Sequence, residues 1–490
     1  MLEGPKTLDA YHLSVSFVTG AVVLGLEVLA ARTMAPALGS GPVAWSALLA
    51  VALGSLAAGN LAGGVASDRA RLGAVIAWSL VAAAIGLVLL SLIHRPVVHW
   101  AGGLSLFWGA LSTSLCTQFV PMALLGVISP VLLRVPREGR PGVWSGLVLA
   151  CGSVGGIAGA LLTGTVLLPA LGLARCYQLL ACLAAVAAIP AAARDRRWIP
   201  LGIGAFVAVL SVVLAAWPRG DDVIQSRYGQ LEIRTIGGTP TLLIDGMPQT
   251  AMPDHVRRWG GLERGYLLEL ALLARGNPPP RNALVIGLGA GLAPRTLALH
   301  GVHCEAVEVD PAVVELARSE FDFRGTVHAA DGRTFLRRDE RAWDLIVLDV
   351  CTSERLATHL FAVEGLALAR DRLAPRGILA LQFIGDEGAW TASLVRTARE
   401  VFGSAVVIAP RFTFEPVGPC WLFAGAVPIT APPGERDDPF SDPNTDPHDT
   451  APWRVVDVAD GGALLTDDHF PAELDWSRTA ALWRRHLAPR

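Results

Sequence analysis

Charge is what this sequence has least of. Asp, Glu, Lys and Arg make up only 17% of the 490 residues, against 52% hydrophobic ones, and mean hydropathy is +0.47. Soluble domains typically carry about 25% charged residues, so an ordinary soluble protein is excluded as a description of the whole. A basic excess is missing as well. The formal net charge is -3 with a pI near 6.4, which leaves no global footprint for nucleic acid as a partner. Cysteine is sparse and scattered, at positions 116, 151, 176, 182, 304, 351 and 420, with no C-x-x-C pair. An odd count without such pairs suggests neither a disulfide scaffold nor a structural zinc site, and no metal is expected. Apolar content this high excludes disorder for most of the chain, and the length is a soft prior for two or three domains.

What is present is divided sharply. From Tyr11 to about Trp217 the chain is a train of apolar stretches, at 11–31, 43–66, 72–93, 101–134, 142–170, 176–193 and 198–217. Each approaches the roughly 20 residues that a bilayer crossing needs. The expectation is a polytopic α-helical membrane domain over 1–217 with about seven spans, eight if 101–134 is a hairpin rather than one kinked helix around Pro121 and Pro130. The first stretch is long for a removable signal peptide and leads into no small-residue cleavage pattern. Small residues from Gly152 to Gly159 permit close helix approach, either as plain packing or as the wall of a cavity. Glu27, inside the first span, needs a partner or a wet cavity at that depth.

Arginines at 69, 71, 134, 137, 140, 194, 196 and 197 fall in alternate loops, with Arg32, Arg95 and Arg175 in the others. The positive-inside tendency would put the richer set in the cytoplasm and export everything after Trp217. The nucleotide chemistry below argues the opposite. We follow the chemistry, expecting a multi-pass protein of the cell inner membrane with a cytoplasmic catalytic domain.

After Pro218 charge rises and strand patterns appear. Val223–Thr235 and Thr241–Ile244 read as a short antiparallel sheet with Gly237-Gly238 as its turn. Strands are then expected at Asn282–Ile286, Glu305–Val309, Asp344–Leu348, Gly377–Gln382, Ala405–Ala409 and Trp421–Ala424, alternating with helical stretches. That alternation argues βαβ units and a mostly parallel sheet. The Pro- and Asp-rich run 426–453 reads as a surface loop. The first of these strands runs into Gly287-Leu288-Gly289-Ala290-Gly291, a sharp strand-to-helix turn that lets a ligand approach the backbone. Glu308 ends the next strand about 20 residues on, where an acidic side chain accepts from ribose hydroxyls. Asp310, beside Pro311, suits either a site or a helix start. Asp331, followed by Gly332, could face an adenine, and Asp349 ends a further strand. These acids sit at carboxyl ends of strands, where open α/β sheets bind ligands. The glycine spacing departs from the dinucleotide pattern and favours a single adenosine with a sulfonium side chain, a dinucleotide remaining the alternative.

Tyr228 with Gln230, Leu243-Ile244-Asp245-Gly246, Gln249, Gly287 to Gly291, Glu308-Val309-Asp310, Asp331-Gly332-Arg333 and Asp344 to Asp349 occur in the order found in the spermidine synthase family. The resemblance covers about 220–425. The apolar half resembles the membrane domain fused to such enzymes in some bacteria, through Glu27, Arg32, Gly63-Gly64, Asp68-Arg69, Pro121, Ser129-Pro130 and the late Asp467-Asp468. The resemblance implies an α/β Rossmann-like domain of the S-adenosylmethionine-dependent methyltransferase type over 281–490, preceded by a small β-domain over 218–280. It implies aminopropyl transfer from decarboxylated S-adenosylmethionine, or use of S-adenosylmethionine itself, with release of methylthioadenosine. Gln230, Gly287, Gly289, Gly291, Glu308, Asp331 and Gly332 would bind the donor. Asp349 and Asp254 would hold its amine end, and Asp349 would deprotonate the acceptor. Tyr228, Gln249, His255 and Thr352 would line the substrate site.

Two departures bear on the acceptor. Thr352 stands where the family has a second Asp, and His255 where it has a Glu. Each lost carboxylate removes charge-assisted hydrogen bonds of about 1.5–3 kcal/mol, which puts a linear polyamine acceptor in question. Three functions therefore stand at this point. The first is a membrane-bound alkyltransferase acting on an amine or a membrane-accessible acceptor, with the lipid bilayer as partner and a homodimer left open. The second is methyl transfer from S-adenosylmethionine, or its cleavage by a lyase reaction. The third is a nucleoside-binding transporter or sensor without catalysis.

Overall fold

The computed structural model describes residues 5–39, 41–135, 141–217, 223–236, 238–251, 280–350, 357–386, 388–410, 417–425, 453–456, 458 and 461–468. The chain divides into two compact units, Met1–Gln230 and Leu231–Arg490.

The first unit is helical: α1 (Pro5–Leu38), α2 (Pro42–Arg69), α3 (Leu72–Gly102), α4 (Leu106–Leu133), α5 (Pro141–Leu171), α6 (Leu173–Arg194) and α7 (Trp198–Ala216). All seven are long and apolar enough to cross a membrane. The stretch at 101–134 is one helix rather than a hairpin, interrupted by a π turn at Leu115–Phe119. Pro121, which cannot donate to the preceding turn, follows two residues later. Arg32, Arg95 and Arg175 lie inside helices and not in loops. The helices continue past the apolar runs and stop at the glycines 39 and 103.

The Gly152–Gly159 stretch is used for packing. A Cβ on Gly155 would lie 2.0 Å from the Phe17 carbonyl oxygen, and one on Gly159 2.2 Å from that of Ala21. Backbone therefore meets backbone between α1 and α5. Ser16 Oγ donates to Val148 O (2.7 Å) across the same seam.

The expected strand over Val223–Thr235 is two, β1 (Val223–Gln225) and β2 (Gln230–Ile236). Ser226 breaks it, because its hydroxyl accepts the N–H groups of Tyr228 (3.0 Å) and Gly229 (2.9 Å) and closes a turn. β3 (Thr239–Ile244) and β4 (Met247–Ala251) complete a four-stranded sheet in the order β1-β2-β3-β4, β4 having gone unread in the sequence.

The second sheet contains β5 (Asn282–Ile286), β6 (His303–Glu308), β7 (Thr326–Ala329), β8 (Trp343–Leu348), β9 (Leu373–Asp386), β10 (Ala405–Pro410), β11 (Val417–Gly425) and β12 (Trp453–Val455). Their order is β12-β10-β11-β9-β8-β5-β6-β7. The run β7-β6-β5-β8-β9 is parallel, and β11, β10 and β12 add antiparallel pairs. Helices α8 (Leu292–Leu299), α9 (Pro311–Ser319) and α10 (Gly332–Arg338) are the crossovers between β5, β6, β7 and β8. α11 (Val363–Asp371) and α12 (Ala389–Phe402) flank β9 in the chain. Residues 426–452 of the expected surface loop lie outside the described residues, while Trp453 opens an edge strand. The strand order reverses at β5, so ligands of such sheets enter at its carboxyl end.

The α1–α5 seam makes a testable contrast. Gly159→Val is expected to lower thermal stability by at least the ~1–3 kcal/mol of an overpacked core. Gly54→Ala, whose added Cβ meets nothing within 4 Å, should be neutral or stabilising by up to about 1 kcal/mol through helix propensity. Melting of the two purified variants checks this; equal melting temperatures would refute the seam.

Candidate functional site

β5 ends at Ile286 and the chain turns through three glycines with positive φ, at Gly287 (98°), Gly289 (53°) and Gly291 (80°). Gly287 has no room for a side chain, since a Cβ there would lie 2.0 Å from the Asp349 carbonyl oxygen. The neighbouring strand end is thus pressed against the bend. Asp349 N–H donates to Ile286 O (2.8 Å) and Gly287 N–H to Val307 O (2.8 Å), extending the β5 pairing on both sides. A Cβ on Gly289 would come within 2.7 Å of Thr250 Oγ1, so β4 also reaches the bend.

Glu308, the last residue of β6, grips this loop. Its Oε2 accepts the Leu288 N–H (3.0 Å) and its Oε1 the Asp310 N–H (2.9 Å). Burial pushes its carboxyl above the ordinary range, and the backbone donors offset only part of that. A carboxylate has about four acceptor positions, so each oxygen retains one for a ligand hydroxyl. Asp310 caps α9, its carboxylate accepting Ala312 N–H (3.0 Å).

Asp331 caps α10 through Thr334 N–H (2.8 Å), and its second oxygen meets His359 Nε2 (3.0 Å). Burial raises its pKa, but the hydrogen bonds from Thr334 and His359 outweigh it and hold the carboxyl below the usual range. Gly332 lies against β5, where a Cβ would sit 2.4 Å from Ile286 Cγ2. Arg333 makes a two-pronged ion pair with Asp467 (2.6 Å for each bond). The Asp467 N–H donates to Glu364 (3.0 Å), and the buried Leu465 donates to Thr397 Oγ1 (3.1 Å). Asp467 of the late motif is therefore docked beside α10.

The structure gathers Gly287, Gly289, Gly291, Glu308 and Asp349 at adjoining strand ends, with Asp331 and Gly332 at the start of α10. Gln249 on β4 adjoins Thr250 in sequence and donates to Met247 O (3.5 Å). Tyr228 and Gln230 fall in the first unit; Tyr228 is 44% exposed and Gln230 Oε1 accepts from Gln225 Nε2 (3.2 Å). Asp254, His255 and Thr352 lie outside the described residues. Sequence reasoning missed Thr250 and His359. Neither carries a local signal, because the partners of each are distant in the chain.

The sheet order and the bend define a Rossmann-like domain. Residues 264–411 match the Spermine/spermidine synthase domain family, and the chain thus carries a spermidine synthase-like domain. It is 32% identical over 177 residues to polyamine aminopropyltransferase 2 of Pseudomonas aeruginosa, covering 33% of this chain and 49% of that one. It is 34% identical over 148 residues to the N-terminal histidine N-methyltransferase of Emericella nidulans, covering 27% of this chain and 26% of that one. The chain therefore spans half or less of these relatives' length. A crystal structure of a probable spermidine synthase from Corynebacterium glutamicum aligns at 19% identity over 43% of this chain and 81% of that one, with a TM-score of 0.37.

The Arg333–Asp467 pair sets a pH test. Arg333 holds the Asp467 carboxyl below its usual range, so its stabilisation is present above the unfolded value near 3.9 and is lost as pH falls through the folded one. With the Asp467 side chain 37% exposed, solvent screening keeps the contribution to about 1 kcal/mol. Asp467→Asn should lower the melting temperature of the second unit at pH near 7 and match the parent in strong acid. A deficit that persists in strong acid would mean the pair is not its cause.

Proposed function

We propose that the chain is a membrane-bound transferase that moves an aminopropyl group from decarboxylated S-adenosylmethionine to an amine, releasing methylthioadenosine. The observation that carries this reading is the glycine bend with Glu308 and Asp349 at the flanking strand ends, within a segment that matches the synthase family. In it, residues 1–217 are the membrane domain, 218–280 a small β-domain and 281–490 the catalytic domain on the cytoplasmic side. Membrane insertion is supported by the outer faces of the helices. Leu53, Leu61, Leu161 and Phe206 are each more than 60% exposed, an apolar surface that water-soluble proteins avoid.

The sulfonium carbon is already activated, so the protein needs to hold and orient. Glu308 accepts the ribose hydroxyls, and the backbone from Gly287 to Gly291 lies along the nucleoside. Asp331 and Gly332 complete the part of the donor site that the second unit supplies. Asp349 and Asp254 bind the donor's amine end. The acceptor nitrogen attacks the carbon beside sulfur in line; the C–N bond forms, the C–S bond breaks and its electron pair stays on sulfur. Asp349 takes the nitrogen's proton. Orientation of this kind contributes several kcal/mol of the barrier, up to about 7–11. Tyr228, Gln249, His255 and Thr352 line the acceptor side.

One observation favours a second reading. Thr352 and His255 stand where family carboxylates would bind a polycation, and a relative at 34% identity is a methyltransferase. Methyl transfer from S-adenosylmethionine, or its cleavage, needs no polycation site.

Purified protein incubated with either donor, with and without amines, separates the two by mass spectrometry. Methylthioadenosine formed only with an amine is the expected outcome; formation without an acceptor means cleavage, and S-adenosylhomocysteine means methyl transfer. Asp349→Asn should cut turnover by about 10²–10⁴-fold with nucleoside affinity retained, and unchanged turnover would remove Asp349 as base.

Glu308 makes a separate prediction. Its raised pKa means that acid removes the ribose acceptor early, so methylthioadenosine affinity should fall as pH is lowered, beginning at a higher pH than the titration of an ordinary glutamate. In Glu308→Gln, calorimetry should find affinity about tenfold lower and without that pH dependence. Identical pH profiles for the two proteins would detach Glu308 from the ligand.

A further inference from the structure

Asp331 is held from two sides. Its Oδ1 accepts the Thr334 N–H (2.8 Å) and its Oδ2 meets His359 Nε2 (3.0 Å). The carboxyl lies below its usual range, so at neutral pH Asp331 is ionised and can only accept. His359 Nε2 is therefore the donor of the pair. Arg333, close by in the chain, is committed to Asp467 through both prongs and leaves the Oδ2 position to His359. The Asp331 side chain is nevertheless 40% exposed. Each of its oxygens has one further acceptor position, and a ligand can reach it.

The imidazole comes from a fixed piece of backbone. His359 lies on the single helical turn Thr358–Phe361, where Leu360 and Phe361 are both buried in the core. The Phe361 ring meets the Trp390 ring edge-on, with centroids 6.4 Å apart. Gly365 on α11 has no room for a Cβ, which would strike the His359 carbonyl oxygen. Two bonds from the late segment hold the residues that follow: Val363 N–H donates to Leu465 O (2.8 Å) and Asp467 N–H to Glu364 (3.0 Å). The turn also packs where Asp331 needs it, since a Cβ on Gly332 would lie 3.4 Å from Leu360 Cδ1. A side chain supported in this way holds its partner in one orientation before any ligand arrives.

The ladder places Asp331 relative to the ribose acceptor. Glu308 pairs with Ala329 across β6 and β7, and Ala330 N–H donates to Glu308 O (3.0 Å). Asp331 thus stands two residues beyond the level of Glu308, about 6–7 Å at the rise of a strand. With a ribose on Glu308, the part of a nucleoside that extends to Asp331 is the base. Adenine presents an exocyclic amino group, a donor, whereas hypoxanthine presents a carbonyl at the same place. A carboxylate fixed toward that edge accepts from the first and repels the second. A carboxylate free to rotate can turn away from the carbonyl and loses the distinction.

We propose that His359 is a specificity-determining positioning residue: its Nε2–H fixes the Asp331 carboxylate in the orientation that accepts from an adenine amino group, so that adenine nucleosides are selected over hypoxanthine ones. The inference rests on the donor site proposed above and adds to it a residue that acts through Asp331. Full-length protein in lipid nanodiscs is titrated by calorimetry with methylthioadenosine and with methylthioinosine, which differ at that one substituent of the base. The parent should bind methylthioadenosine at least about tenfold more tightly, as one charge-assisted hydrogen bond implies. In His359→Ala the two affinities should come within about threefold of each other, through weaker methylthioadenosine binding with methylthioinosine binding unchanged. His359→Gln, whose amide nitrogen can donate to Asp331, should restore most of the preference. The preference is a ratio read within each protein, so a loss of stability that weakens both ligands together does not move it. A ratio in His359→Ala equal to the parent's, or equal binding of the two nucleosides by the parent, would overturn the role of His359 and leave the Glu308 and glycine-bend contacts standing. Binding of neither nucleoside by the parent would overturn the donor site itself, and this inference with it.

Discussion

A single steric fact organises the nucleoside end of the second unit: there is no space for a Cβ at residue 287. The Asp349 carbonyl occupies that position, because β8 continues its parallel pairing with β5 for one residue beyond the strand, through the Asp349 N–H and the Ile286 carbonyl. On the other side the Gly287 N–H continues the pairing with β6 at Val307. Three strand ends are thereby tied at one level, and acids, Glu308 and Asp349, stand at two of them beside the bend. Any larger residue at 287 would have to part β5 from β8. The glycine is therefore a requirement of the sheet before it is a requirement of any ligand.

Glu308 follows from the same geometry. Its two oxygens take the N–H groups on either side of the strand end, at Leu288 and Asp310, so it braces the bend in the absence of ligand. Bracing and ligand binding do not compete, since a carboxylate has acceptor capacity beyond two bonds. The opposed pKa directions of Glu308 and Asp331 express their surroundings. Burial dominates at the first, whereas at the second Thr334 and His359 outweigh it. The two acids thus titrate in the same sense, Glu308 taking up its proton at a higher pH than an ordinary carboxyl and Asp331 at a lower one.

Much of this was legible in the sequence, and the part that was not shares a cause. Local patterns carried the seven long apolar helices, the strand at Asn282–Ile286, the glycine turn and the acid at the end of β6, because each is a matter of periodicity or of spacing within about 20 residues. Boundaries drifted where apolarity was a poor guide to helix ends: α1 and α3 run on through Arg32 and Arg95, whose long side chains accommodate a polar head at a helix terminus. The break at Ser226 was hidden because a hydroxyl turn needs no glycine or proline. The Arg333–Asp467 pair spans 134 residues and the Asp331–His359 contact 28. Pairings of that separation depend on how the sheet closes, which no window of sequence contains.

The two departures from the synthase pattern and the polar interior of the helices bear on the same chemical question. Recognition of an amine requires carboxylates or strong acceptors that give up water to meet it, and such groups are costly wherever they are buried without a partner. In the second unit, on the resemblance to the synthase family, Thr352 and His255 would stand in the places of two carboxylates. In the first, the Gln118 and Gln178 carbonyl oxygens are buried without a hydrogen-bond partner among the described residues. A chain selected only to anchor an enzyme gains nothing from idle acceptors in its anchor, because apolar residues of the same volume would pack there without a desolvation cost.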